Sequence, residues 1–403
     1  MKIISDLHIH SRFARATSHD LNLANLEKWA KIKGVNLLGT GDFTHPLWIK
    51  EIKQELEQEN GILKSKTGFP FVLQSEISLM YSQGGKGRRV HLVLLAPSLE
   101  VVDQINSFLI KKGRLDYDGR PIFGMSCIDA VENLKAISDD IEIIPAHIWT
   151  PWFGILGSKS GFDSFEEAFQ DKVDKIYSLE TGMSSDPAMN WRLSRLDKFS
   201  ILSSSDLHSY WPWRIGREAN IFDFKELNYK NLIKAIRTRE GLQGTIEVNP
   251  GYGKYHYDGH RLCKFSCSPE ESKKRNNLCP VCGKPLIIGV QNRVEELADR
   301  KDGFKSKNAL PFYSVLPLHE LISLVLEQAV STKKVWEVYN SLINKFDNEI
   351  NILLDVPLED LKKVCDEKIV SVILRNRAGK IKVEPGYDGE YGKAVLEEQK
   401  TLF

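Results

Sequence analysis

His8 and His10 stand two residues apart at the end of a short apolar run that begins at Lys2. Alternate residues of a β-strand project from one face, so this spacing aims two imidazoles into one site. Asp206 and His208 repeat the spacing much later in the chain, and Asp42, Glu76, His91 and His147 lie in or just past other apolar runs. Nitrogen and oxygen donors on a rigid frame, with coordination positions left open, are what a divalent cation needs to activate water. Glu76 suits a bridging role, because a carboxylate can give one oxygen to each of two cations. The catalytic candidates are therefore His8, His10, Asp42, Glu76, His91, His147, Asp206 and His208, and His45 joins the same set as a ligand candidate. A lone histidine is more often a satisfied core or surface residue, and recurrence of the pair is what argues for a metal site. His19 and Asp20 follow Thr17-Ser18 at a helix start and read as capping and surface residues.

The elements that must hold these groups alternate. Short apolar runs at Lys2 to Leu7, Val35 to Gly39, Pro70 to Leu73, Val90 to Ala96, Ile141 to Pro145, Ile176 to Leu179 and Ser200 to Ser203 read as strands. Amphipathic stretches at Leu23 to Lys33, Trp48 to Glu59, Ser98 to Lys111 and Phe165 to Asp171 read as helices between them. That rhythm predicts an α/β fold, either a β/α barrel or an open sheet, with chemistry at the C-terminal strand ends. Most candidates fall there, and His91, near the start of its run, is the exception. From Pro311 to about Val370 the pattern is helical, with apolar faces over Leu318 to Val330 and Trp336 to Phe346; Ile369 to Leu374 and Lys380 to Val383 read as short strands.

The 403 residues, 42% hydrophobic and 27% charged, are those of an ordinary globular chain with room for more than one domain. A net charge of +1 excludes a globally basic protein, although nucleic-acid contact needs only a local basic groove. No window approaches the apolar length of a membrane span, and the expectation is a cytoplasmic protein without a membrane partner. Four of the six cysteines, Cys263, Cys267, Cys279 and Cys282, fall close together and read as two knuckles around one structural Zn²⁺, with His256 and His260 as alternative ligands. Cys127 and Cys365 read as ordinary buried thiols.

Basic residues such as Lys264 and tyrosines such as Tyr255 surround this module, and two aromatic loops lie beside metal candidates: Trp149 to Phe153 after His147, and Tyr210-Trp211-Pro212-Trp213-Arg214 after His208. Basic groups beside aromatic faces can follow a phosphate backbone while stacking unpaired bases. Trp149, Trp152, Glu180, Tyr210, Trp211, Trp213, Arg214, Tyr255 and Lys264 are the candidate DNA contacts, Glu180 because Glu180 to Trp191 has no other evident role and could line a base pocket.

Asp6-Leu7-His8-Ile9-His10, Gly41-Asp42, Glu76, His91, His147 and Asp206-Leu207-His208 resemble the motif series of the polymerase and histidinol phosphatase (PHP) superfamily. That resemblance implies a distorted (β/α)7-type PHP barrel that binds two or three divalent metals (Zn, Mn or Mg) and hydrolyses phosphoesters. It implies one metal at His8, His10, Glu76 and Asp206, a second at Glu76, His91 and His147, and a third near His208. The chain departs from the pattern with Phe43 and Ala16 where many members carry histidine, which leaves Asp42 or His45 to complete the third site. Gly39 to Pro46, Leu179 to Pro187 with Met189 to Arg192, and Pro250 to His256 before the cysteines are similar to endonuclease Q over nearly the whole chain. This family implies cleavage of the phosphodiester bond 5′ to a deaminated base (uracil, hypoxanthine, xanthine) or an abasic site, the damaged base being extruded into a pocket.

The expected organisation is 1-245 for the phosphoesterase domain, 246-310 for an inserted zinc-ribbon-like module, 311-395 for a mostly helical C-terminal domain and 396-403 for a tail. In the tail, Gln399, Leu402 and Phe403 resemble peptides that plug into DNA sliding clamps. A metal-dependent DNA repair endonuclease is the function expected. The alternatives are a phosphomonoesterase of a small metabolite and a non-catalytic nucleic-acid-binding module; neither accounts for both the ligand set and the cysteine module.

Overall fold

The computed structural model describes residues 1–396, so Gln399, Leu402 and Phe403 lie outside the described residues. Seven strands surround the central core: β1 (Lys2–Asp6), β2 (Leu37–Gly39), β3 (Pro70–Gln83), β4 (Lys86–Ala96), β5 (Glu142–Pro145), β6 (Ser178–Glu180) and β7 (Ser200–Leu202). Parallel pairing joins β1 to β2, β2 to β3 and β6 to β7, whereas β3–β4 and β4–β5 are antiparallel. Single backbone bonds close the ring: Ile148 N–H donates to Glu180 O, Asp206 N–H to His8 O and His10 N–H to Leu207 O. A distorted α/β barrel results, and every one of these closing bonds involves a candidate site residue or its neighbour. Two further strands extend this sheet, β8 (Ala219–Asp223) antiparallel to β1 and β9 (Leu242–Glu247) antiparallel to β8, and β10 (Phe312–Ser314) adds parallel to β9 after the cysteine module.

The long β3–β4 hairpin departs from the expected Pro70 to Leu73 and Val90 to Ala96. Its register runs from Leu73↔Ala96 to Gln83↔Lys86, and Gly84 and Gly85, both with positive φ, make the two-residue turn. Gln74, Glu76 and Ser78 break the apolar run because they face the site rather than solvent. Glu76 and His91 therefore sit inside strands and not at strand ends.

Leu23–Lys33 forms the expected helix, capped by Asn22 and ended by Gly34 in the left-handed region. The helix expected over Trp48 to Glu59 runs from Pro46 to Glu55, and Glu57–Glu59 instead starts an edge hairpin with Ile62–Lys64. Toward the C-terminus, helices Leu318–Leu326, Lys333–Phe346 and Glu349–Leu354 pack on the barrel. Ile369 to Leu374, expected as a strand, is part of helix Glu367–Arg377: its β-branched residues face a helical core in which Ile369, Val370, Val372 and Ile373 are buried. A buried ion pair ties this region to the first helix, with Lys33 Nζ 2.6 Å from Glu349 Oε1 and Tyr339 Oη donating to Glu349 Oε2 at 2.8 Å.

The expected base-stacking loop is used in this same interface. Trp29 packs against Tyr210, Trp211 and Trp336, and Trp213 against Trp211, Trp336 and His319. Trp211 and Trp213 thus join the barrel to the helices and Tyr210 packs on Trp29 and Trp211, so these rings, expected as DNA contacts, have partners within the chain and stay only partly exposed.

Candidate metal centre and cleft

The pleat of the hairpin builds the middle of the site. Glu76 and Ser78 share a face, and Ser78 pairs with His91, so His91 arrives diagonally beside Glu76 with its Nδ1 2.8 Å from Glu76 Oε1. His147 Nε2 approaches the same oxygen at 3.2 Å. The other oxygen, Oε2, lies 3.4 Å from His8 Nε2 and 3.2 Å from His10 Nε2, while Asp206 Oδ1 lies 3.1 Å from His10 Nε2. Two ligand groups result: His8, His10, Glu76 and Asp206 in one, Glu76, His91 and His147 in the other. Glu76 belongs to both, one oxygen to each.

Cations fit these groups. His8 Nε2, His10 Nε2 and Asp206 Oδ1 are buried without hydrogen-bond partners, an arrangement that is costly unless something else satisfies them. Their spacings match the edges of a polyhedron around a cation whose bonds are about 2.1 Å long. Each imidazole is held from behind. Glu180 accepts from His8 Nδ1 at 3.0 Å, and Asp42 accepts from His10 Nδ1 at 2.9 Å. These carboxylates fix the tautomer that leaves each Nε2 lone pair facing the centre. Burial opposes charge on His8 and His10, yet Glu180 and Glu76 around the first and Asp42 beside the second hold both pKa values well above the usual imidazole range. Burial brings the His91 pKa down to about 3, and Glu76 stays well below the usual carboxylate range because His91 and Arg120 outweigh its desolvation.

Local backbone strain marks the same spot. Asp42, His147 and Asp206 have φ of 40°, 31° and 46°, values side chains other than glycine rarely adopt. Space is equally tight: a Cβ on Gly119 would meet Asp42 Oδ2 at 2.3 Å, and one on Gly182 would meet His147 Cβ at 2.4 Å.

Several expected residues sit elsewhere. Asp42 spends both oxygens on His10, the Ser11 N–H and the Ser11 hydroxyl, so it supports a ligand and is not one. His45 stacks on Phe13 with centroids 4.3 Å apart and lies outside both groups. Its position as N-cap of the Pro46–Glu55 helix fixes its backbone there. His208 also lies outside the groups, but it is partly exposed on the cleft with its ring 4.8 Å from that of His10. Glu180 and Trp149 are buried, Glu180 behind His8 and Trp149 with its Nε1 donating to Asn190, so neither can touch DNA. Trp152, Arg214 and Tyr255 line the open cleft; Lys264 lies outside that lining, beside Cys263.

In the cysteine module the fourth ligand group changes. His260, Cys263, Cys279 and Cys282 converge, with His260 Nδ1 3.4 Å from Cys282 Sγ, and Cys267 does not. The reason is the hairpin Asp258–His260 with Phe265–Cys267: His260 pairs with Phe265 beside Cys263, whereas Cys267 pairs with Asp258, two residues away along the strands. Cys267 is buried against Leu286 and Cys279. Desolvation raises a thiol pKa, but backbone N–H groups of Cys282 and Val281 with His260 bring Cys279 down to about 6, toward the thiolate a metal takes.

Sequence reading missed three groups: Arg120, whose Nη1 lies 3.0 Å from Glu76 Oε2, and Arg89 and Arg217 on the cleft wall. Arg120 lies in a charged stretch that reads as surface. The cleft over the two ligand groups measures about 1050 Å³, at the upper end of the range of small-molecule pockets.

The crystal structure of the lesion-specific endonuclease PfuEndoQ from Pyrococcus furiosus superposes with a TM-score of 0.88 at 30% identity, covering 99% of this chain and 96% of that one. The chain belongs to the endonuclease Q family. A second endonuclease Q structure, a complex with a 27-mer duplex substrate carrying an abasic lesion at the active site, matches with a TM-score of 0.89 at 31% identity over 99% of this chain and 98% of that one. A Methanocaldococcus jannaschii protein, MJ0043, is 34% identical over 303 residues, which are 73% of this chain. The chain spans only 36% of that relative's length. Residues 317–380 match the family model of the MJ0043 C-terminal domain. The endonuclease Q fold therefore includes the barrel, the cysteine module and the helices as found here. Among the described residues no helix is long and apolar enough to cross a membrane.

Proposed function

We propose that this endonuclease Q family member is a metal-dependent DNA repair endonuclease that hydrolyses the phosphodiester bond 5′ to a deaminated base or an abasic site. The observation that carries this reading is Glu76 shared, one oxygen to each, between two ligand groups beneath an open cleft walled by arginines and aromatic rings. His8, His10, Glu76, Asp206, His91 and His147 would hold divalent cations, whose Lewis acidity would activate water and offset phosphate charge. The chain's own residues do the rest. Glu180 and Asp42 orient His8 and His10, Arg120 holds Glu76 from outside the ligand groups, and His208, at the cleft edge, is placed to position the scissile phosphate. Trp152 and Tyr255, with centroids 5.8 Å apart on the cleft wall, supply faces on which a base can stack. A small phosphomonoester would leave most of this cleft unfilled.

The division we propose gives phosphoester chemistry to 1-245, strand grip to 246-310, support of the aromatic interface to 311-395 and a clamp contact to 396-403. His260, Cys263, Cys279 and Cys282 would hold one structural zinc, closed to substrate because all four positions are filled. The deciding experiment is a nicking assay on duplexes carrying one uracil, one hypoxanthine, one abasic site or none, with and without chelator. Cuts 5′ to the lesion, lost with chelator, are expected; an intact set of duplexes alongside turnover of a small phosphate ester would refute the reading. Deleting the last five residues should abolish co-elution with a sliding clamp and spare cleavage.

A further inference from the structure

Away from the metal ligands, one corner of the cleft gathers three cations. Arg214, Arg217 and Lys254 all line it. Among the described residues no carboxylate lies within salt-bridge distance of any of them; Glu320, which both arginines feel, is engaged with Tyr252 and pushed toward its neutral form by desolvation, and Glu218, beside Arg217, accepts from the Met183 and Val248 N–H groups and is pushed up to about 8 by burial. Arg217 is only 8% exposed. Its Nε and Nη2 donate to Ser205 O at 3.2 and 2.9 Å, and its Nη1 has no partner. A buried guanidinium with an unspent donor, next to a second arginine and a lysine, is an unfavourable arrangement that an anion would relieve.

The fourth wall of this corner comes from the far end of the chain. The hairpin Lys382–Glu384 with Lys393–Val395 returns to the barrel, where Gly386 N–H donates to Gly251 O, Gly389 N–H to Lys254 O and Gly392 N–H to Tyr252 O. Contact is so close that a Cβ on Gly392 would meet Gly251 O at 2.1 Å. This docking puts the Tyr391 ring 4.7 Å from Lys254 Nζ and 5.5 Å from the Arg214 guanidinium. Burial raises a phenol pKa, but Arg217, Arg214 and Lys254 together pull that of Tyr391 below its ordinary value. The corner thus already favours negative charge.

We propose that Arg214, Arg217 and Lys254, walled by Tyr391, form a subsite for the phosphodiester group that flanks the scissile one. Ser205, whose carbonyl anchors Arg217, precedes the ligand Asp206 in the chain, so the subsite is tied to the metal centre through one peptide link. Its occupant is a polynucleotide backbone phosphate, since the same continuous cleft holds the metal groups and the stacking faces. It would set which bond reaches the metals by fixing the strand one phosphate away. This deepens the endonuclease reading and rests on it.

The test is a double-mutant cycle on the metal-loaded full-length protein. Arg214→Gln and Lys254→Gln, both outside the buried core, are combined with lesion duplexes in which one backbone phosphate at a time is a neutral methylphosphonate. At one position beside the cut, the neutral linkage should cost the unaltered enzyme about tenfold in kcat/KM, and the variants no further loss there. The variants should also flatten the salt dependence of duplex binding by about one unit of log–log slope for each charge removed. Variants that cut and bind like the unaltered enzyme, or losses that simply add at every position, would overturn the subsite while leaving the endonuclease reading standing. Failure of the unaltered enzyme to cut any lesion duplex would instead remove the reading and the subsite with it.

Discussion

Two ligand clusters in one chain solve different problems. The barrel groups are buried, are shared through Glu76, and are backed by Glu180 and Asp42, which hydrogen-bond the far side of each imidazole. The His260, Cys263, Cys279 and Cys282 group lies near the surface, and its donors come from one short hairpin and one tight turn. A site that must keep coordination positions open cannot rely on the metal to gather its ligands, so the protein pre-orients them with a second layer of carboxylates and strained backbone. A closed four-ligand site can let the metal do the gathering. The contrast implies that losing one residue hurts catalysis in the barrel but folding in the module.

The largest effect should come from Glu76→Gln. Removing the negative charge between the two groups should lower kcat/KM on lesion DNA by about 10³-fold or more and release metal measurable by elemental analysis, with little change in the circular dichroism of the barrel. Retained activity would break the bridging assignment. The backing carboxylates come next: Asp42→Asn and Glu180→Gln should each weaken metal binding by about 10–100-fold. A pH titration sharpens the point. His8 and His10 carry raised pKa values without metal, so they hold protons at neutral pH and metal binding must expel them. Affinity should therefore rise with pH across the neutral range, with proton release in calorimetry that Asp42→Asn reduces.

How far the sequence could show this depended on distance along the chain. His8 with His10 and Asp206 with Leu207 and His208 were legible because strand periodicity is local. Leu23–Lys33 was legible because its cap, apolar stripe and terminal glycine all agree. Glu180 was misread because its partner His8 lies 172 residues away, and no local pattern separates a supporting carboxylate from one that lines a pocket. Asp42 was misplaced by one layer for the same reason. Trp211 and Trp213 looked like free stacking faces until Trp336 and His319, far along the chain, covered them.

Cys267 was lost to a smaller ambiguity, because a four-residue spacing suits a knuckle as well as it suits a strand that carries the last cysteine away. His260→Ala and Cys267→Ser test that difference within the module. The first should lose the bound zinc and lower the melting temperature of the module. The second should keep the zinc count unchanged with a modest loss of stability from a disturbed buried contact. Zinc lost from Cys267→Ser but kept by His260→Ala would restore the four-cysteine site.

The smallest expected effect lies beneath the cleft floor, where acids with no metal to face are held by hydroxyls. Glu247 accepts from Thr181 and Ser203 at 2.9 and 3.1 Å and from Thr245 at 2.5 Å, and Glu218 accepts from the Met183 N–H at 2.7 Å. Burial raises Glu218 from 4.5 to about 8, and burial together with Glu218 raises Glu247 well above its usual range. A carboxyl whose pKa is higher in the folded protein binds protons that the unfolded chain has released. Its stabilising contribution is complete below the unfolded value of 4.5 and is lost as pH rises through about 8. Glu247→Gln removes the charge but keeps an acceptor for hydroxyls that can rotate, so denaturant unfolding should show a flatter fall in stability between neutral and alkaline pH than in the unaltered protein. Identical pH profiles would mean that this pair is already ionised at neutrality.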